Sequence, residues 1–271
     1  MKLYKVGIEV TYRCNFNCPF CYIDHHFRLL PDISFKKLCF IIDQISKSPC
    51  LLVTLLGGEP FLRNDLLDIY KYLIKKGLYV HIYTNGTILD NPILTYFEKY
   101  PPYLITVPLY AGTEKTYEEI TGKKNVLKLM FEFVNILKRK NIRFRFTTLI
   151  NKANLRELDK ILNIGEQLEV PLTFSTKIGP TIQGDNSPCK LRLTPKERAE
   201  VLKTISGRKN VIWRDLDLVR NNSCNGILLI DNLGNLTTCI IDRNRSYNLR
   251  KIPFQKIINQ VQDLKMKCPC K

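Results

Sequence analysis

Apolar residues recur along the first 180 residues in two alternating patterns, one with the period of a strand and one with that of a helix. Lys5 to Thr11 alternates polar and apolar positions, and Leu51 to Leu56 is a continuous apolar run, typical of a strand buried on both faces. Further strands are predicted at residues 78–84, 103–110, 143–149 and 172–176. Helices are predicted from near Ser34 and over residues 65–76, 91–100, 126–140 and 155–168.

This order predicts an α/β fold with three parts. Strict alternation of strand and helix implies a parallel sheet with right-handed crossovers. Six units are too few for a closed eight-stranded barrel, so we predict a partial (β/α)6 TIM-like barrel over residues 1–180, with its chemistry in the loops at the carboxyl ends of the strands. Residues 181–221 are a bridging segment with a helix. Residues 222–271 are a small C-terminal domain made of a hairpin and a following helix.

Composition and charge narrow the function classes. The 271 residues are 45% hydrophobic and 25% charged, as in a globular protein. Lys and Arg number 42 against 25 Asp and Glu, so the net charge is +17. Such a charge attracts an acidic peptide, nucleic acid or an anionic cofactor. Because the charge is spread along the chain with no dense block, the simpler explanation is lysine on solvated helix faces. No segment resembles a signal peptide or a membrane span, so we expect a cytoplasmic protein with no membrane partner.

Three cysteines follow the first predicted strand within eight residues. The loop contains Cys14, Cys18 and Cys21, with spacings of four and three residues. Three thiolates in one compact loop can bind three irons of an iron–sulfur cube and leave the fourth iron open. The alternatives are a zinc site completed by His25 or His26, since a structural zinc site needs a fourth donor, and buried cysteines that bind no metal.

This loop resembles the Cys-x-x-x-Cys-x-aromatic-Cys signature of radical S-adenosylmethionine (SAM) enzymes, with Phe20 at the aromatic position. The resemblance implies a [4Fe-4S] cluster whose open iron binds SAM, and reductive cleavage of SAM to a 5′-deoxyadenosyl radical. The cofactors supply such radical chemistry, and the protein positions them. A flavodoxin- or ferredoxin-type protein is the implied reductant.

Later strand ends carry segments that resemble the SAM-binding motifs of the same family. Gly57-Gly58-Glu59-Pro60 follows the second strand and resembles the motif for the methionine end of SAM, where glycines permit close backbone approach and Glu59 can accept from an ammonium group. Thr84-Asn85-Gly86-Thr87 follows the third strand. The resemblance extends more loosely to ribose and adenine contacts by Thr147, Asn154 and Ile178.

Four more cysteines lie in the C-terminal region, at positions 224, 239, 268 and 270. This arrangement resembles the auxiliary-cluster extensions called SPASM and twitch domains, and implies that Cys224, Cys239, Cys268 and Cys270 bind an auxiliary [4Fe-4S] cluster. A zinc ribbon built from the same thiolates is the alternative. Cys189, in the bridging segment, is a candidate hydrogen-atom donor to a substrate radical or an idle surface thiol.

The resemblance implies an enzyme that modifies a ribosomally made peptide or protein by hydrogen-atom abstraction, which leads to a crosslinked, epimerised or oxidised residue. The charge favours an acidic peptide, and a separate leader-peptide-binding protein is a further expected partner. One alternative is dehydrogenation or rearrangement of a small molecule. The other is a noncatalytic metal protein that binds nucleic acid, which we expect less because no RNA-binding module is recognisable.

Overall fold

The computed structural model describes residues 4–89, 91–213, 228–239, 243 and 246–261. Ten strands are found within these residues. They are β1 (Tyr4–Thr11), β2 (Cys50–Gly57), β3 (Tyr79–Tyr83), β4 (Leu104–Pro108), β5 (Phe144–Leu149), β6 (Leu172–Ser175), β7 (Val211–Trp213), β8 (Leu228–Ile230), β9 (Asn235–Thr237) and β10 (Ser246–Asn248).

Eight α-helices connect or follow these strands in the same described ranges. They are α1 (Phe35–Ser46), α2 (Leu66–Lys75), α3 (Pro92–Lys99), α4 (Glu114–Thr121), α5 (Val126–Arg139), α6 (Leu158–Gln167), α7 (Pro195–Ile205) and α8 (Phe254–Val261). The predicted start at Ser34 is confirmed, because its side chain caps α1 by accepting from the amide of Lys37. Among the described helices, none is long and apolar enough to cross a bilayer.

The strands form one sheet in the order β10-β9-β8-β1-β2-β3-β4-β5-β6-β7. All neighbours from β8 through β1 to β7 are parallel, and β8-β9 and β9-β10 are antiparallel. The predicted α/β partial barrel is therefore confirmed, and the predicted hairpin is β8-β9. Its first strand pairs with β1, with Val6 opposite Leu228. The domain boundaries at residues 181 and 222 stay predictions.

The two faces of the strands have different surroundings. A Cβ on Gly86 would lie 3.1 Å from Val107 of β4 and 3.3 Å from Phe133 of α5. Val107 and Phe133 are therefore close neighbours between the sheet and this helix. This face is covered by helices and is apolar. Gly7 of β1 instead faces Leu229, on the inner face of the barrel. Side chains alternate along a strand, so the remaining positions can be assigned to one face or the other.

Three elements were not predicted from the pattern. Helix α4 spans eight residues, and two of its four buried positions, Thr116 and Thr121, are threonines, so the helix shows few apolar residues from which its period could be recognised. Strands β7 and β10 have three residues each, too few to show alternation. Their strand conformation depends on pairing with β6 and β9, a long-range contact that local sequence does not encode.

Candidate functional site

The cysteine loop leaves the carboxyl end of β1, as predicted, and hydrogen bonds fix its backbone. The amide of Asn17 donates to the carbonyl of Thr121 at 2.8 Å, which joins the loop to the end of α4. The Arg28 guanidinium donates to the carbonyl of Phe16 at 2.6 Å. The amide of Cys21 donates to the carbonyl of Cys18 at 3.1 Å, which closes a tight turn between two of the three cysteines.

The three thiols of this loop are half-buried and close enough to influence one another. Burial raises the pKa of Cys14 to about 11. The amide of Phe16, which donates to the Cys14 sulfur at 3.4 Å, acts in the opposite direction and lowers this pKa. Burial also raises the pKa of Cys18 and of Cys21, and the neighbouring thiols add to the effect on Cys18. Binding of iron therefore has to release protons from these thiols, so assembly is favoured by higher pH.

The glycines of the Gly-Gly-Glu-Pro motif allow the ends of β1 and β2 to touch. Gly57 has φ +131°, and a Cβ there would lie 2.1 Å from the carbonyl oxygen of Thr11. A Cβ on Gly58 would lie 2.1 Å from that of Arg13. The amides of Gly58 and Glu59 donate to those same two carbonyls, each at 2.8 Å. The predicted close approach is thus found toward the protein's own cysteine loop; an approach toward SAM stays a prediction.

Glu59 is fully buried and already has three donors from the protein. Its Oε1 accepts from the Thr84 hydroxyl at 2.8 Å and the Phe61 amide at 3.0 Å, and Oε2 accepts from the Asn85 amide at 2.6 Å. Burial raises the pKa of Glu59 to about 7, although these donors act in the opposite direction. The carboxyl group therefore organises the loop after β3. Acceptance of a further bond from an ammonium group, through the remaining capacity of Oε2, stays a prediction.

The loop after β3 is joined directly to the cysteine loop. The Asn85 amide nitrogen Nδ2 donates to Asn15 Oδ1 at 2.7 Å, and Asn15 Nδ2 donates to the Thr87 hydroxyl at 2.9 Å. The Thr87 hydroxyl in turn donates to Asn85 Oδ1 at 2.7 Å. The ends of β1, β2 and β3 thus form one hydrogen-bonded unit around the three cysteines.

Aromatic and proline positions of the two motifs are buried in this unit. Phe20 is 7% exposed, and its ring meets that of Tyr110, at the end of β4, edge to face with centroids 5.0 Å apart. Pro60 is buried at the start of the short 3-10 helix Pro60–Leu62. The structure therefore brings together the candidates Phe20, Gly57, Gly58, Glu59, Pro60 and Asn85 beside the cysteine loop.

The three looser candidates lie at later strands. Thr147 is half-buried on β5, and its hydroxyl donates to the carbonyl of Thr173 at 3.4 Å. Asn154 is fully buried, and its amide bonds to the Tyr110 carbonyl and two backbone groups of its own loop, so it joins the ends of β4 and β5. The carbonyl of Ile178 accepts from Arg192 at 2.8 Å. Contacts of these three residues with SAM stay predictions.

A buried ion pair on β1 was not predicted. Glu9 is completely buried, and its two oxygens accept from the Arg243 guanidinium at 2.9 and 3.0 Å. The Tyr12 hydroxyl donates to one of these oxygens at 3.0 Å, and the Tyr22 hydroxyl donates to the other at 2.8 Å. Tyr22 follows the last cysteine of the loop. The signal was present, because Glu9 is a charged residue between apolar residues of a strand.

The remaining cysteine candidates are only partly described. Cys239 is half-buried directly after β9, and its carbonyl accepts from the Thr237 hydroxyl at 3.0 Å. Cys224, Cys268 and Cys270 lie outside the described residues. Cys189 is half-buried in the 3-10 helix Ser187–Leu191, a few residues after a segment whose Ile182 amide donates to the carbonyl of Tyr22 at 2.8 Å. Its role as a hydrogen donor stays a prediction.

The chemistry of the cysteine loop fits an iron–sulfur cube better than a single metal ion. Across the described residues, no group of three or more His, Cys, Asp or Glu side chains is arranged to hold one metal ion. A cube takes one thiolate on each of three irons, so its ligands need not converge on one point. His25 and His26, the alternative zinc ligands, are both exposed, and His25 is hydrogen-bonded to Asn17.

Comparison with known proteins agrees with this chemistry. Residues 8–164 match the Radical SAM superfamily. An AdoMet-dependent heme synthase of Methanosarcina barkeri is 25% identical over 184 residues, which cover 67% of this chain and 52% of the relative. A PqqA peptide cyclase of Bradyrhizobium diazoefficiens is 22% identical over 168 residues, which cover 60% and 43%. The chain thus spans about half the length of these curated relatives.

The fold is also similar to that of Streptococcus suis SuiB in its crystal structure with the precursor peptide SuiA. The TM-score is 0.74 at 15% identity, over 94% of this chain and 64% of that one. The cofactors of the family are a [4Fe-4S] cluster and SAM, and the cysteine loop after β1 has the ligands that such a cluster requires. The match covers more than half of the sequence, and on this ground the chain belongs to the radical SAM superfamily.

Proposed function

We propose that this enzyme uses the radical formed from SAM to modify a peptide or protein substrate. One observation carries the proposal. The fold likeness to SuiB, whose structure contains a precursor peptide, continues past the barrel and covers 94% of the chain. The PqqA peptide cyclase supports the same substrate class by sequence. The excess of basic residues suits an acidic peptide, because opposite charge raises the rate of encounter.

The residues have distinct tasks in this proposal. Cys14, Cys18 and Cys21 bind three irons of the cluster, and the cluster with SAM supplies the radical chemistry. Glu59 holds the loop after β3 in place and leaves part of one oxygen for the methionine end of SAM. Phe20 and Tyr110 shield the cysteine loop from water with their rings.

The C-terminal cysteines complete the proposal. Cys239 lies after β9, and β8, to which β9 is paired, lies against β1. We propose that Cys239, with Cys224, Cys268 and Cys270, binds an auxiliary [4Fe-4S] cluster. Four thiolates leave no open iron, so this cluster suits electron transfer or structural support rather than SAM binding. The proposed partners are a separate leader-peptide-binding protein and a flavodoxin- or ferredoxin-type reductant. The proposed location of the enzyme is the cytoplasm.

Iron content and SAM cleavage test the first half of the proposal. We expect about eight irons per chain in the anaerobically reconstituted protein and about four in the triple variant Cys14→Ala, Cys18→Ala, Cys21→Ala. Formation of 5′-deoxyadenosine should be lost in that variant. The matched control is Cys50→Ala, because Cys50 is a buried thiol of β2 outside the loop. Equal iron in both variants would disprove the role of the cysteine loop.

A second candidate is reaction on a small molecule, and the heme synthase relative favours it. Incubation with a peptide encoded near the gene distinguishes the two, with mass spectrometry of the peptide as readout. A SAM-dependent mass change supports the peptide substrate. Turnover of SAM coupled to a small molecule, with the peptide unchanged, supports the second candidate.

A further inference from the structure

The inner face of the barrel carries polar side chains among apolar ones such as Leu56 and Leu104, whereas its outer face is apolar. Side chains alternate on each strand, and the inner positions of β2 to β6 include Thr54, His81, Thr106, Arg145, Thr147 and Thr173. Barrel interiors of this class are ordinarily filled with bulky branched apolar side chains. The hydroxyl, imidazole and guanidinium groups among the inner side chains give this interior the donors that a polar ligand requires.

Arg145, the second residue of β5, is the guanidinium in this set, and a hydrogen bond holds its side chain in place. Its Nε donates to the hydroxyl oxygen of Thr106 at 3.1 Å. Thr106 is fully buried and is also hydrogen-bonded to His81 Nε2 at 2.8 Å. These contacts use one edge of the guanidinium, so its terminal nitrogens are left for another acceptor.

The charge of Arg145 has no acidic partner in the part of the chain that the structure describes. Glu9, the acidic residue on the inner face of β1, is neutralised by its two contacts with Arg243. Thr173, on the neighbouring strand β6, adds a buried hydroxyl without a hydrogen-bond partner. Buried polar groups that lack partners are costly, and a ligand would satisfy them.

We propose that Arg145 and Thr173 form a carboxylate-binding subsite inside the barrel, which names the substrate class within the proposed function and rests on it. The planar guanidinium matches a carboxylate in shape and charge, and two parallel hydrogen bonds are the usual geometry. Arg145 lies four residues before Leu149, about 13 Å along β5 from the edge with the cysteine loop. A substrate with an acidic side chain near its reacting residue can bridge that distance.

Binding of two defined probes to the SAM-loaded holoenzyme tests the subsite. The probes are glutarate and a blocked tripeptide with a central glutamate, and the blocked glutamine tripeptide is the neutral reference. Calorimetric titration compares the wild type with Arg145→Gln, Arg145→Lys and the control Arg143→Gln. Arg143 is exposed and two residues away, so its removal changes the net charge equally. Iron content and the thermal midpoint show that each variant is folded.

We expect Arg145→Gln to weaken binding of both acidic probes at least about tenfold, the loss expected for a charge-assisted hydrogen bond. Arg145→Lys should lose less, and Arg143→Gln should bind like the wild type. Tighter binding of the glutamate tripeptide than of glutarate identifies a peptide carboxylate, and the reverse order a small-molecule one. Equal affinities in wild type and Arg145→Gln, or no preference for glutamate over glutamine, would overturn the subsite. Neither result depends on turnover, so the proposed peptide modification can fail or succeed separately.

Discussion

The ion pair between Glu9 and Arg243 permits a quantitative prediction about the coupling of the C-terminal segment to the barrel. Glu9 is 0% exposed and accepts four hydrogen bonds, two of them from Arg243. In the variant Arg243→Met, the carboxylate keeps only the two tyrosine hydroxyls. Removal of one partner of a buried pair costs about 3–5 kcal/mol of unfolding free energy, because the other charge remains buried without compensation. This is a large fraction of the stability of an ordinary domain, about 5–15 kcal/mol.

A double-mutant cycle separates this charge effect from lost packing. Glu9→Gln alone removes the negative charge that faces the buried Arg243 guanidinium and should also destabilise. The double variant Glu9→Gln, Arg243→Met leaves neither charge, so we expect it to cost less than the sum of the single variants by about 2 kcal/mol or more. The assay is urea unfolding of the anaerobic holoenzyme, followed by circular dichroism.

The matched control is a second two-contact pair between arginine and glutamate. Arg208 donates to both oxygens of Glu166 at 2.7 and 2.8 Å, but its side chain is 36% exposed and that of Glu166 39%. Arg208→Met should therefore cost about 1 kcal/mol or less. If Arg243→Met and Arg208→Met have equal effects, burial does not control the strength of the first pair and the reasoning is refuted.

Two further predictions concern the Gly-Gly-Glu-Pro motif. Gly58→Ala places a Cβ 2.1 Å from the carbonyl oxygen of Arg13, so the cysteine loop must shift, and we expect a loss of about 1–3 kcal/mol together with reduced iron per chain. The control is Gly77→Ala, because Gly77 has φ +73° but open space where its Cβ would lie; this variant should lose about 1–2 kcal/mol of stability and keep normal iron. Equal iron in Gly58→Ala and Gly77→Ala would contradict a role for the contact between Gly58 and the Arg13 carbonyl. Glu59 has its pKa raised from the usual 4.5 to about 7, so the folded protein holds a proton that the unfolded chain releases between these values. The free energy of unfolding should therefore fall by up to about 3 kcal/mol as the pH rises from 4.5 to about 7. Urea midpoints of Glu59→Gln, measured over the same pH range, should not show this fall. If Glu59→Gln shows the same fall as the wild type, other groups cause it.

The sequence predicted the six barrel strands because each lies in a sheet covered by helices, where burial imposes a visible apolar pattern. It also placed the cysteine loop and the Gly-Gly-Glu-Pro motif at strand ends, and parallel strands bring such ends to one edge. The contacts between the cysteine loop and the Gly-Gly-Glu-Pro motif could not be predicted from the sequence. Glycines in a motif can permit close approach of a ligand, of a neighbouring loop or of both, and the contact with the loop becomes visible only from the positions of the Thr11 and Arg13 carbonyls.

Long-range pairing accounts for the other omissions. Glu9 and Arg243 are 234 residues apart in the chain, and neither flanking sequence indicates the other. The same holds for β8, whose three residues give no sign that they pair with β1 rather than only with β9. Arg145 could be recognised as an inward-facing residue only after the register of β4 and β5 placed it beside Thr106.

The position of β8 has a consequence for the two ends of the chain. β1 leads directly into the cysteine loop, and β8 lies beside it at the spacing of hydrogen-bonded strands, about 4.8 Å. The turn between β8 and β9 is fixed to the barrel as well, because Asn232 accepts from the Ile33 amide at 3.2 Å and donates to the Pro31 carbonyl at 3.1 Å. An auxiliary cluster on Cys239, as proposed, would thus be held at a set distance from the SAM-binding cluster by a continuous sheet. Electron transfer between two centres requires a constant separation. The buried pair of Glu9 and Arg243 would therefore support the proposed redox role by stabilising this segment rather than by chemistry of its own.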